Sequence, residues 1–82
     1  MVKLLYFMHL VDTIGCAREE VILPDAVADV NGLVAWLERR GEHYRTALAG
    51  GASLQITINK HFVDLAAAVK DGDEIAFFPR EK

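Results

Sequence analysis

The chain has 82 residues, 52% of them hydrophobic and 26% charged, and a formal net charge of -3. That length makes a single domain, 1-82, able to bury only about 60% of the surface its unfolded chain exposes, with no room for a separate catalytic domain. The balance is globular rather than disordered, no apolar run approaches the ~20 residues of a membrane span, and the acidic balance argues against a nucleic-acid partner.

Residues 2–10 read as a strand, almost wholly apolar and rich in β-formers. Alternation turns Val2, Leu4, Tyr6 and Met8 toward the core, and Lys3, Leu5 and Phe7 toward the other face. His9 and Asp12 interrupt the run and no small-residue cleavage site follows, so it is not read as a signal peptide, and the protein is expected to be cytoplasmic. Residues 12–15 form a turn, and residues 19–23 a second strand stopped by Pro24-Asp25.

Asp29 stands as an N-cap before Val30, Leu33, Val34 and Leu37, which recur at i, i+3, i+4 and i+7 and predict a helix. Arg39-Arg40 suits the negative end of the helix dipole, Gly41 supplies the stop, and Trp36 lies at the edge of the apolar stripe as a packing residue. Residues 43–48 read as a further helical turn before the loop Ala49-Gly50-Gly51-Ala52. A strand follows that loop where a phosphate-cradling loop would need Lys and Ser or Thr opening a helix.

Leu54, Ile56 and Ile58 alternate with Gln55, Thr57 and Asn59, a half-buried strand. Asn59-Lys60 turns it into a short Phe62-Val63 segment. Residues 64–70 then connect to the Asp71-Gly72 turn and the last strand. The order strand, strand, helix, strand, short strand, strand predicts an α+β β-grasp fold: a mixed sheet of four to five strands with one main crossing helix. A right-handed crossover would set the first and last strands parallel and adjacent at the centre of that sheet.

No catalytic, metal or cofactor site is expected. Cys16 is the only cysteine, which excludes an internal disulfide and a thiolate cluster, and it reads as a small buried or half-buried hydrophobe. His9, His43 and His61 occupy separate elements without the i, i+4 spacing of a helical metal site. Asp71, Asp73 and Glu74 read as turn and surface carboxylates rather than a calcium site, and Lys60 and Lys70 as solvated lysines. Parity does gather one patch. Leu5 and Phe7 point away from the core, as does Phe78 if Ile75 and Phe77 point in, and Phe62 joins them if the Asn59-Lys60 turn is tight.

Val2-Lys3-Leu4-Leu5-Tyr6-Phe7, Gly15, Val30 and Leu33, Ile58-Asn59-Lys60, and above all Asp71-Gly72-Asp73-Glu74-Ile75-Ala76-Phe77-Phe78-Pro79 carry a resemblance over nearly the whole chain. The chain resembles the small subunit of molybdopterin synthase, MoaD, among the ubiquitin-like sulfur carriers that also include ThiS. The resemblance implies a role in molybdenum cofactor (molybdopterin) biosynthesis as a non-catalytic carrier. Its partners would be a synthase large subunit-like protein and an E1-like adenylating enzyme, with neither nucleic acid nor membrane. In the family the positions matching Phe7, Phe62 and Phe78 pack against both partners, which together with Leu5 from parity and Pro79 of the terminal motif gives the expected partner-binding set, while Val11 stands where the family often carries a partner-binding arginine.

In that family the proline is followed by a tail ending in Gly-Gly, thin enough for its carboxylate to be adenylated and converted to a thiocarboxylate. Here Pro79 is followed by Arg80, Glu81 and Lys82, and no glycine lies beyond Gly72. If the chain is complete as given, thiocarboxylation is expected to be very slow or absent. The alternative reading is then a divergent, non-conjugating β-grasp interaction module that keeps the docking patch without sulfur-carrier activity.

Overall fold

The computed structural model describes residues 1–49 and 54–80. The first strand, β1 (Val2–Tyr6), alternates as its sequence demands: Val2, Leu4 and Tyr6 are buried, whereas Lys3 is exposed and Leu5 half-buried. It is shorter than its apolar run. Met8 takes a left-handed φ of 58°, which turns the chain out of the sheet and leaves the predicted inward side chain 61% exposed. Residues 12–15, read as a turn, belong instead largely to a short helix, α1 (His9–Ile14). Its Leu10 and Ile14 lie at i, i+4 and are buried on one face. Gly15, at φ 99°, ends it by donating its N–H to the Val11 carbonyl at 2.8 Å.

The second strand, β2 (Arg18–Val21), stops before Ile22, which is 77% exposed. Helix α2 (Val30–Glu38) opens where its cap predicts, with the Asp29 carboxylate accepting the Gly32 N–H at 2.7 Å. Its stripe of Val30, Leu33, Val34 and Leu37 is completely buried against the sheet. Gly41 breaks the chain between α2 and α3 (Glu42–Leu48), so the predicted helical turn is a helix of its own, whose Leu48 is fully buried in the core. Of the predicted 49–52 loop, residues 50–52 lie outside the described residues.

Strands β3 (Leu54–Ile58), β4 (His61–Val63) and β5 (Glu74–Pro79) complete a five-stranded sheet in the order β2-β1-β5-β3-β4. The first and last strands are parallel neighbours, as the β-grasp reading requires, and the other pairings are antiparallel. Ile75 and Phe77 of β5 are fully buried beneath α2, and Phe77 stacks on Tyr6 with ring centroids 5.6 Å apart. Among the described residues no helix is long and apolar enough to cross a membrane.

One polar cluster ties the sheet edge to the helices. The Tyr6 and Tyr44 hydroxyls each donate to Glu19 Oε2 at 2.7 Å, and Arg40 Nη1 donates to Oε1 at 3.0 Å. Arg40 also lies over the Trp36 and Tyr44 rings, 5.3 and 5.2 Å from their centroids. Arg40 is therefore committed to Glu19 and to two aromatic faces, a tertiary role that the helix-dipole reading did not anticipate. Burial opposes ionisation of Glu19, but the hydrogen bonds from Tyr44, Tyr6 and Arg40 outweigh it and hold the carboxyl below its ordinary range. Burial and the same carboxylate push the Tyr6 phenol strongly upward and the Tyr44 phenol up to about 12.

Candidate functional site

The sheet face opposite α2 carries the site, and strand register shows how it is assembled. Across the strands, Arg18, Leu5, Ala76, Thr57 and Phe62 form one row, in which Leu5 pairs with Arg18 and Ala76, and Thr57 with Ala76 and Phe62. Among the described residues no helix of the core packs over Ala76 and Thr57, yet only 5% and 6% of their surface is exposed. A parallel charged row runs Glu20, Lys3, Glu74 on the side toward the Asp71-Gly72 turn.

Phe7 and Phe78 lie on the other side of the apolar row. Their rings stack with centroids 4.5 Å apart and planes within 8°, and the Phe7 N–H donates to the Phe77 carbonyl at 3.2 Å, anchoring the residue just past β1. Phe7 is 37% exposed, Phe78 half-buried and Phe62 71% exposed. Leu5, Phe7, Phe62 and Phe78 border a shallow depression of about 270 Å³, with Thr57, Ala76, Lys60 and Glu74 completing its rim. Four of the five residues singled out from sequence thus meet on one surface. Pro79 does not line it: this residue ends β5 opposite Leu54, with the inward parity of Ile75 and Phe77.

The tight turn that parity required is present. Asn59 and Lys60 both take left-handed φ values, 52° and 73°, joining β3 to β4 through a two-residue loop of the primed type that matches strand twist. Asn59 holds this turn to the next loop, its Nδ2 donating to Asp73 Oδ1 at 3.0 Å and its Oδ1 accepting the Glu74 N–H at 3.0 Å. Asp73 Oδ2 also accepts the Lys70 N–H at 2.8 Å, and Asp71 pairs with the terminal amine of Met1. These acidic residues are engaged in turns. No group of His, Cys, Asp and Glu among the described residues is placed to hold a metal ion.

Cys16 is half-buried, packed at the edge of the core, and its thiol is pushed up by burial and then by Glu19, with Arg40 opposing. Val11 is half-buried on α1 against the core. Thr57, Lys60, Glu74 and Ala76 are the parts of the site that sequence reading passed over. The Asn59-Lys60 turn was the available signal, since a two-residue loop fixes the Thr57–Phe62 pairing and brings Lys60 beside it.

Comparison with known proteins bears on the family and the fold. The chain is 35% identical over 79 residues to the molybdopterin synthase sulfur carrier subunit of Haemophilus influenzae, covering 96% of this chain and 94% of that one. A Pyrococcus furiosus structure carrying the name of molybdopterin converting factor, subunit 1, superposes with a TM-score of 0.78 at 27% identity, covering 98% of this chain and 97% of its own. Subunit 1 and 2 of the molybdopterin-converting factor from Helicobacter pylori, solved as a complex, give a match with a TM-score of 0.68 at 23% identity, over 99% of this chain and 95% of that one, a likeness of fold. The ThiS family model matches residues 4–80. With that match spanning both outer-face phenylalanines of the stacked pair, Phe62 between them in sequence and all of the buried core but Val2, the chain belongs to the ThiS family.

Proposed function

We propose that the chain serves as the sulfur-carrier small subunit of molybdopterin synthase and docks on the large subunit through the outer sheet face centred on Phe7, Phe62 and Phe78. The observation that carries this reading is the stacked Phe7–Phe78 pair beside a largely exposed Phe62, on a face that no helix covers among the described residues. Clustered exposed aromatic surface on a small domain is a feature of partner contacts. The name of the 35% identical relative and the two-subunit composition of the Helicobacter pylori complex support the choice of partner.

Its work is that of a carrier and not of an enzyme. An E1-like adenylating enzyme engages the same surface in the cytoplasm, where ATP is at hand. Calorimetric titration with the large subunit from the same organism tests the docking. The parent chain is expected to bind, and Phe78→Asp to lose binding while remaining folded. Mass spectrometry after incubation with the E1-like enzyme, ATP and a sulfur donor tests the carriage. A sulfur-for-oxygen mass gain supports a carrier, while binding without that gain restricts the chain to the docking role.

A further inference from the structure

We propose that Lys60 is a specificity-determining cation of the docking face, received by a carboxylate on the large subunit; this rests on the docking reading above. The turn holding it is an unfavourable place for lysine. Lys60 is the second residue of a two-residue loop and has φ 73°, where glycine is preferred because a Cβ crowds the backbone. Asn59, its partner in the turn, tolerates the left-handed region and stabilises the loop through its bonds to Asp73 and Glu74. Lys60 contributes no such bond: among the described residues its ammonium has neither an ion pair nor a hydrogen bond.

A side chain that does nothing for the fold therefore occupies a position that strains it. Residues held in sparsely populated backbone regions cluster at functional sites, and this one borders the depression between Phe62, Phe78 and Leu5. The other cations of the face are placed differently. Lys3 lies in register between Glu20 and Glu74, and Arg18 lies beyond Leu5 at the opposite end of the apolar row. Glu74 shares the depression with Lys60 but forms no ion pair with it.

When an apolar surface closes over Phe62 and Phe78, water is removed from one side of the ammonium. An acceptor must replace it, and a carboxylate does so better than a neutral carbonyl because its hydrogen bond is charge-assisted. The partner's contact surface should thus carry an acidic residue beside its apolar centre, at the β3–β4 end of the face.

The test is calorimetric titration of the large subunit from the same organism with the parent, Lys60→Gly, Lys60→Asn and Phe78→Asp chains, at low salt and at 1 M, where the screening length falls to ~3 Å. Thermal melts run alongside. Lys60→Gly is expected to melt higher than the parent and to bind about fivefold more weakly at low salt, with the gap closing at high salt. Lys60→Asn should show the same loss, which excludes turn flexibility as its cause. Parent-like affinity of both Lys60 variants, or a loss independent of salt, overturns the inference. If Phe78→Asp loses binding in that experiment, the docking reading survives; if the parent itself does not bind, both fall.

Discussion

Replacing Glu19 by alanine should destabilise the domain by about 2–4 kcal/mol, most of it through the hydroxyl left behind rather than the ion pair removed. The Tyr6 residue is only 2% exposed, and its hydroxyl donates to Glu19 Oε2 at 2.7 Å. Without that acceptor, a polar group enclosed by the core and the β2 edge loses its partner, a cost of about 1–3 kcal/mol. The Tyr44 hydroxyl, donating to the same oxygen from a half-buried site, adds about 1 kcal/mol. The Arg40–Glu19 pair adds less than about 1 kcal/mol, since the Arg40 side chain is 36% exposed and solvent screens it.

Urea denaturation of Glu19→Ala, Tyr6→Phe and the double variant provides the assay. Tyr6→Phe should be mildly destabilising in the parent but neutral or stabilising in the Glu19→Ala background, where it removes the orphaned hydroxyl. Glu19→Gln, which keeps an acceptor oxygen, should fall between parent and alanine. Additive losses from Tyr6→Phe and Glu19→Ala would refute the reasoning, because the two side chains would then not be sharing one interaction.

The same carboxyl sets an acid dependence. Its folded pKa lies below its unfolded value, so its stabilisation is fully present above the unfolded pKa of about 4.3 and is lost as pH falls through the folded value. Denaturation midpoints between pH 3 and 6 should fall less steeply at the acid end for Glu19→Gln than for the parent. Gly72→Ala should cost about 1 kcal/mol: φ is 88°, while a Cβ there would meet no atom within 4 Å, so the loss is conformational rather than steric contact. Thermal melting of that variant reads the shift directly. Phe7→Asp and Phe78→Asp should each lower affinity for the large subunit by at least about 30-fold with modest change in melting temperature, whereas Val30→Asp should unfold the domain, since Val30 is fully buried. Circular dichroism separates those outcomes.

The fold was legible wherever one periodicity had no rival. The α2 stripe with its Asp29 cap, the alternation of β3, and the Asp71-Gly72 turn into β5 each fit a single pattern and appear in the structure. The 2–10 run did not. A continuous apolar stretch satisfies alternation and helical spacing together, so the left-handed break at Met8, which separates β1 from α1, had no local marker. Outward parity brought Leu5, Phe7 and Phe78 onto one face from neighbours read as inward, and the tight Asn59-Lys60 turn added Phe62. Pro79 came from motif resemblance alone and carries the opposite parity, ending outside the depression. The Glu19 cluster joins residues 13, 21 and 25 positions apart in sequence, a tertiary coincidence that no window of sequence contains.

The parallel pairing of β1 and β5 at the centre of the sheet also has a mechanical meaning. Traction on the chain beyond Pro79, opposed at the start of β1, would load the β1–β5 hydrogen bonds together in shear instead of opening them one after another. β3 grips the far side of β5 over Leu54 to Ile58 and shares that load. A pull on that segment would therefore work against both pairings of β5 at once, and the domain would act as a fixed stop that seats without unravelling.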